Sequence, residues 1–428
     1  MHGASQAGFL SPYRVLDLTD QRGLLAGCML GKLGAEVIQV EPPNGSPARQ
    51  EAPFATDAPS GENSLYWSAF AAFKRGITCD IERPEGRELL LRLVEKADFL
   101  IESANPGVMA KLGLDYETLR RANPAIICVS ITPFGAAGPK SAYVDSDLIV
   151  WASAGPLHPN RDQSGVPTRI SVPQAYLHGA ADAATGALIA LFARHRNRLG
   201  QHVQVSSQRS ASLATLSVTL AAAVGHSHYQ FPADQQPKKK SLDLSGSGAR
   251  TRRSKWQVKD GVLELHLGLG PAAGGSANKL FAWMREQGAL PKEFWDWDWV
   301  TLPARLQNEE ISEEHMDAAR AAVGSFLAPF TKSYLMDAAL KRGILMAPAM
   351  TIKDLTQSEH LRSRNFFDVT AENGRMRTLP GPFAFGCPQG FVRTRPAPAL
   401  GEHNREVYGG LLGLPANQLE HLAAAGVI

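Results

Sequence analysis

Strand-like apolar runs alternate with helical spacing through the first 132 residues, and this alternation constrains the chain more than any other feature. "YRVLDLT" reads as a buried strand, "GLLAGCMLGKLGA" as a helix and "EVIQVE" as a second strand. "GITCDI", "RPEGRELLLRLVEKA" and "DFLIES" repeat the pattern, and "YETLRRANP" with "AIICVSIT" adds another helix and strand. Neighbouring strands joined through helices must run parallel, so the expected fold class is α/β with an open, mostly parallel, Rossmann-like sheet of the doubly wound kind. Helices are expected from about 180 to 196 and from about 206 to 225.

The middle of the chain changes character. "HSHYQFPADQQPKKKSLDLSGSGARTRRSKW" is polar, basic and rich in Gly and Pro, and reads as a linker. "WQVKDGVLELHL" then gives strand–turn–strand signals around Asp260 and Gly261, and two amphipathic helices follow. The expected organisation is a large domain over 1–225, a smaller α+β domain over 226–335, and a C-terminal part over 336–428. A length of 428 residues fits two or three domains.

Composition excludes several classes. The net charge of +3 is too small to demand a nucleic-acid partner. Cys28, Cys79, Cys128 and Cys387 lie far apart without a CxxC pair, which argues against a zinc site or a disulfide framework and fits a reducing cytoplasm. No early segment reads as a signal peptide. The run Leu213–Gly225 is shorter than the roughly 20 residues a membrane span needs. The expectation is a cytoplasmic protein with no metal and no membrane partner.

Glu41 ends the second strand, where an acid can hold a ribose, but Gly23, Gly27, Gly31 and Gly34 do not spell GxGxxG. Glycines four apart on a helix fit close packing instead. Lys74 and Arg75 form a pair of cations at a strand edge, suited to phosphate or to a solvated surface. Lys111 and Lys140 have the same two readings. Trp295, Trp297 and Trp299 in "WDWDWV" read as packing of the small domain.

Taken together, "GAEVIQVEPP", "KADFLIE" followed by "PGVMAKLGLDY", "SITPFGAAGP" and the closing "LGEHNREVYGGLLGLP" resemble the class III CoA-transferases, of the formyl-CoA transferase and carnitine CoA-transferase type. The resemblance covers nearly the whole chain and is weakest over 226–335. It implies a large α/β domain completed by 336–428, a small domain from the middle, and interlocked dimers. It also implies transfer of CoA from an acyl-CoA donor to a carboxylic acid, with CoA as substrate and no bound cofactor. Lys74, Arg75, Ser103, Ala104, Lys111 and Lys140 fall in the segments that contact CoA in the family. "ESANPG" departs from the family's Asn-aromatic pair after the Glu. Gly246 and Gly248 in "SGSGAR" are candidates for an oxyanion loop or for plain linker.

The family uses an aspartate because a free carboxylate is a poor electrophile. The aspartate attacks the donor thioester and forms a mixed anhydride, which splits one hard step into easier ones. Alignment of "GALIALFAR" with the family's helix puts that aspartate at or beside Tyr176. A phenol is mostly protonated at neutral pH and its ester does not replace an anhydride. His178 nearby does not supply a carboxylate either. Asp182, further along the helix, is the remaining candidate nucleophile in this segment. The related α-methylacyl-CoA racemases have a His before an Asp where this chain has Ser146 before Asp147, so that chemistry is not expected. Three readings stay open. One is the aspartate-lacking subunit of a heteromeric enzyme of the benzylsuccinate CoA-transferase kind, paired with an aspartate-bearing paralogue and using a donor such as succinyl-CoA. The second is a homomeric transferase working through Asp182, and the third a CoA-thioester-binding protein without turnover.

Overall fold

Six parallel strands form one sheet in the computed structural model, which describes residues 8–57, 63–158, 166–170, 172–225, 254–372, 375–381 and 395–428. They are β1 (Arg14–Leu18), β2 (Glu36–Glu41), β3 (Lys74–Thr78), β4 (Phe99–Glu102), β5 (Ile127–Thr132) and β6 (His202–Ser206), in the spatial order β3-β2-β1-β4-β5-β6. Val15 of β1 sits opposite both Val37 and Phe99, so the chain builds outward from β1 first on one side and then on the other. The order therefore reverses between β1 and β4. Open α/β sheets bind ligands outside the carboxyl ends of the strands at such a reversal.

The connecting helices are α1 (Leu24–Lys32), α2 (Leu65–Phe70), α3 (Pro84–Val94), α4 (Val108–Lys111), α5 (Tyr116–Ala122), α6 (Asp147–Ala154) and α7 (Ala175–Asn197). One face of the sheet buries Leu30 of α1 with Ala183 and Ala187 of α7. The other buries Leu89, Leu90 and Leu119 of α3 and α5. Both faces are covered, which is why the central strands read as unbroken apolar runs. By length and composition α7 is apolar enough to cross a membrane. Its buried residues are mostly alanines that bring it close to the strands, as in a core helix of a globular domain.

The glycines of α1 serve a close approach of helix to sheet. A Cβ on Gly27 would lie 1.9 Å from Asp17 Oδ2, and one on Gly23 would lie 2.5 Å from Thr19 Cγ2. Asp17 is held by Lys74 and Thr19 and has no room to retreat. Gly27→Ala is expected to destabilise the protein by about 1–3 kcal/mol, as overpacked cores do, read as a lower urea midpoint with an unchanged slope.

The chain divides into two units, 1–229 with 363–428, and 230–362. In the first unit, the C-terminal segment covers the edge of β3. Gly76 N donates to His403 Nδ1 at 3.1 Å, His403 N donates to Gly76 O at 2.9 Å, and Thr78 N donates to Asn404 Oδ1 at 2.9 Å. The motif "LGEHNREVYGG" thus satisfies an edge that would otherwise be open for pairing. A hairpin of β10 (Phe367–Glu372) and β11 (Arg375–Pro380) also belongs to this unit.

The second unit has an antiparallel sheet of β7 (Lys255–Val258), β8 (Gly261–Leu265) and β9 (Met346–Ala349). The expected boundary at 335 falls inside the helix Lys332–Arg342, and the unit runs on because β9 pairs with β8. Trp299 is fully buried beside Phe281 in the core that also holds Trp283, and Trp297 packs against that core. Trp295 is the exposed member of the cluster, with the Arg285 guanidinium 4.6 Å from its ring.

Candidate active site

The loops after β1 and β4 meet at the reversal of strand order. Asp20 N donates to Ser103 Oγ at 3.0 Å, and the Ser103 hydroxyl returns a bond to Asp20 Oδ1 at 2.9 Å. Ser103 is buried and joins the two loops rather than facing a ligand. Arg22 follows on the β1 loop. Its Nε and Nη2 donate to the Asp20 carboxylate, and its Nη1 donates to Asn105 Oδ1 at 2.7 Å. The guanidinium is thereby held between the loops after β1 and β4, as a bidentate carboxylate partner fixes it.

Beyond Arg22 lies the entry of α7. The first amides of this helix have no internal partner, and no side chain on its own cap residue supplies one. Asp147 does so from α6. Its carboxylate accepts Gln174 N at 3.0 Å and Tyr176 N at 3.1 Å. This fixes Tyr176 at the first turn, with its hydroxyl donating to Asp145 Oδ2 at 2.6 Å. Asp145 Oδ1 lies 3.8 Å from Arg22 Nη1. Burial, and then the bond to Asp145, push the Tyr176 phenol above its ordinary range, so the proton stays on the phenol. His178 Nδ1 pairs with Gln174 O at 2.7 Å and its ring leans on Trp151, which ties it to the helix. Ser146 caps α6 through Ile149 N at 3.3 Å.

Asn105, which accepts from Arg22, also borders a cavity of about 150 Å³. Glu102, Ala104, Tyr116, Ser130 and His202 form much of its wall. His202 stacks on Tyr116 with ring centres 5.2 Å apart and meets Ser130 Oγ at 2.8 Å. Burial lowers its pKa, so the imidazole is neutral. Burial likewise raises Glu102 above its ordinary value of 4.5, against the opposing bonds from Ser130 and Ala104 N. A carboxyl raised on folding stabilises the protein below its unfolded pKa and loses that contribution as pH rises through the folded one. Glu102→Gln is therefore expected to gain stability at pH 7, with the gain fading as pH falls to 4.5. Urea unfolding at the two pH values checks this; a gap that widens on acidification would contradict it.

The structure separates the residues singled out in the sequence. Ala104 lines the cavity. Lys111, ending α4, and Lys140, after the loop holding Ala136 of the cavity wall, are exposed near its rim in sequence. Lys74 is a correction. Its side chain is fully buried, and its ammonium donates to Asp17 Oδ2 at 2.7 Å, Gln39 Oε1 at 2.9 Å and Leu24 O at 3.0 Å, leaving no proton for a phosphate. Arg75 is a second correction, since it sits at the amino-terminal end of β3 in ion pairs with Glu36 and Glu406. Ser103 is the third, for the reason above.

Asp182 is exposed on α7. It stands about 9 Å further along the helix than Tyr176 and about 240° round it, so it does not share the crevice. Glu41 is closed off by Arg49, with bonds of 2.6 and 2.8 Å, and offers nothing to a ribose. Gly246, Gly248, Cys387 and the run Lys238–Lys240 lie outside the described residues. Asp20, Asn105 and Asp145 are site residues that sequence reasoning passed over.

The profile of "CoA-transferase family III" matches residues 10–404. Succinyl-CoA:(R)-benzylsuccinate CoA-transferase subunit BbsE of Thauera aromatica is 31% identical over 98% of each chain. Succinyl-CoA–D-citramalate CoA-transferase of Chloroflexus aurantiacus is 28% identical over 98% of each. A crystal structure of a CAIB/BAIF family protein from Brucella suis superposes with a TM-score of 0.74 at 25% identity, covering 95% of this chain and all of that one.

Proposed function

Because the chain belongs to CoA-transferase family III, we propose that it moves CoA from a donor such as succinyl-CoA to a carboxylic acid as one of two paralogous subunits. The second subunit carries the aspartate that Tyr176 replaces. The observation that carries this reading is Tyr176 itself. It is buried at the first turn of α7, proton retained, in the segment to which the family resemblance assigns the attacking carboxylate. The likeness to a chain named as a subunit supports a two-chain enzyme. The assembly is an interlocked dimer of unlike chains in the cytoplasm, where Cys28, Cys79 and Cys128 stay as buried thiols.

In this reading the CoA nucleotide lies along the cavity beside Ala104, its phosphates facing Lys111 and Lys140, and its thioester end reaches Arg22. Exposed phosphate contacts contribute modestly and are screened by salt. The double variant Lys111→Ala with Lys140→Ala is expected to weaken CoA binding by about three- to tenfold at low ionic strength, since each exposed pair contributes up to about 1 kcal/mol. The loss should shrink as salt is added. Calorimetry checks this, and an unchanged affinity at low salt would move the phosphates elsewhere.

Co-expression with a paralogue bearing aspartate at the position of Tyr176 tests the function. The expected result is a stable mixed oligomer that transfers CoA from succinyl-CoA at least about tenfold faster than either chain alone, as splitting a site's nucleophile from its partner implies. An isolated chain as fast as the mixture would overturn the two-subunit reading. A mixture that binds CoA thioesters without turnover would favour a binding role.

A further inference from the structure

We propose that Asp145 is itself an acyl-accepting carboxylate, so that this subunit's own crevice is competent for the covalent step although position 176 holds a phenol. The inference rests on the CoA-transfer reading, and not on which chain carries the family's aspartate.

Three carboxylates surround Arg22 and the entry of α7, and they differ in what their oxygens do. Asp20 accepts the Arg22 amide, Nε and Nη2 as well as the Ser103 hydroxyl. Asp147 spends its oxygens on Gln174 N and Tyr176 N at the start of α7. Asp145 accepts one strong bond, from the Tyr176 hydroxyl to Oδ2 at 2.6 Å. Its Oδ1 is 3.8 Å from Arg22 Nη1, beyond hydrogen-bond range, and has no closer polar partner among the described residues. The side chain is 14% exposed, neither sealed in the core nor bathed in solvent.

That combination suits a nucleophile. One oxygen is held, the other has a lone pair to give, and a guanidinium stands close enough to stabilise negative charge as it moves onto the acyl group. Tyr176 is then a positioning residue. At the first turn of α7 the tip of this phenol holds a carboxylate from the loop before α6.

The chemistry balances without added reagents. Asp145 Oδ1 attacks the donor's thioester carbonyl, the C–S bond breaks, and CoA leaves as thiolate from a mixed anhydride. The thiolate attacks the aspartyl carbonyl, the anhydride C–O bond breaks, and the donor acid leaves as its carboxylate. Asp145 is left as a CoA thioester. The acceptor carboxylate reverses the two steps, with no net proton and no redox change.

The test uses the complex of both chains, given succinyl-CoA without acceptor and quenched with hydroxylamine or borohydride. Peptide mass mapping then locates the trapped carboxyl groups. The expected result is about two marked carboxyls per pair of chains, one of them Asp145, as two competent nucleophiles require. Asp145→Asn should lower the count to about one and leave the paralogue's mark intact. Tyr176→Phe should keep the mark on Asp145 but slow its appearance about tenfold, the loss of one hydrogen bond to a charged group. A wild-type map with the mark confined to the paralogue would overturn the proposal, even where Asp145→Asn fails to assemble. Failure of the two chains to assemble or turn over would defeat the two-subunit reading instead. The same trapping on this chain alone would then decide Asp145, a mark supporting it and an unmarked peptide sinking it.

Discussion

Lys74→Ala is expected to destabilise the protein by about 3–5 kcal/mol, the usual cost of leaving one member of a buried ion pair without the other. Neither side chain of the Lys74–Asp17 pair is exposed to solvent. Without the ammonium, Asp17 keeps only the Thr19 amide and hydroxyl as donors, and Gln39 and Leu24 O each lose one. The effect belongs to folding and not to ligand binding. At a temperature where the variant is still folded, its CoA affinity should equal that of the wild type. Urea unfolding and calorimetry on the same preparation separate the two. A stable variant with weakened, salt-dependent CoA binding would return Lys74 to the phosphate site.

Arg49→Ala is expected to cost a similar amount, about 3–5 kcal/mol, because it strips a fully buried Glu41 of its bidentate partner. Arg49 also donates to Pro398 O at 3.0 Å and stacks its guanidinium 4.0 Å from the Trp67 ring centre, so it ties β2 to the C-terminal segment. Glu41→Gln should cost less, since an amide leaves no bare charge. A double-mutant cycle between the two positions is expected to show a coupling above about 0.5 kcal/mol, as contacting charges do. Additive losses would mean that Glu41 finds another partner and that its burial is less demanding than the geometry implies.

These two cations show where sequence reasoning stops. The pattern of apolar runs gave β1 to β5 and the helices α1, α3 and α5, but not α2, α4 or α6, because burial on both faces writes itself into composition. It did not give β6, whose residues alternate between exposed and half-buried at the edge of the sheet. The only signal there was the period of two in "HVQVS" after Gly200. Helix α7 starts at Ala175 rather than near 180, because its cap comes from Asp147, 27 residues before Gln174 and invisible to local rules. Lys74, Arg75 and Glu41 were legible as charges but not in direction. Whether a cation at a strand start turns to solvent or under a helix depends on its neighbours across the sheet. Here Gly27 leaves the space that Asp17 and Lys74 fill. Tyr176 was singled out through the family resemblance alone, since the helix was expected to start only near 180. Asp145 was not, because nothing in "AYVDSD" says that its carboxylate meets a phenol 31 residues later.

The dependence of transfer on a second chain is the centre of this account, and a titration tests it most directly. A fixed amount of the aspartate-bearing paralogue is mixed with increasing amounts of this chain, and initial CoA transfer from succinyl-CoA is followed. The predicted rate climbs from a low baseline and levels off when the two chains are equimolar. A rate already at its plateau before any of this chain is added, or one that this chain never raises, would contradict it.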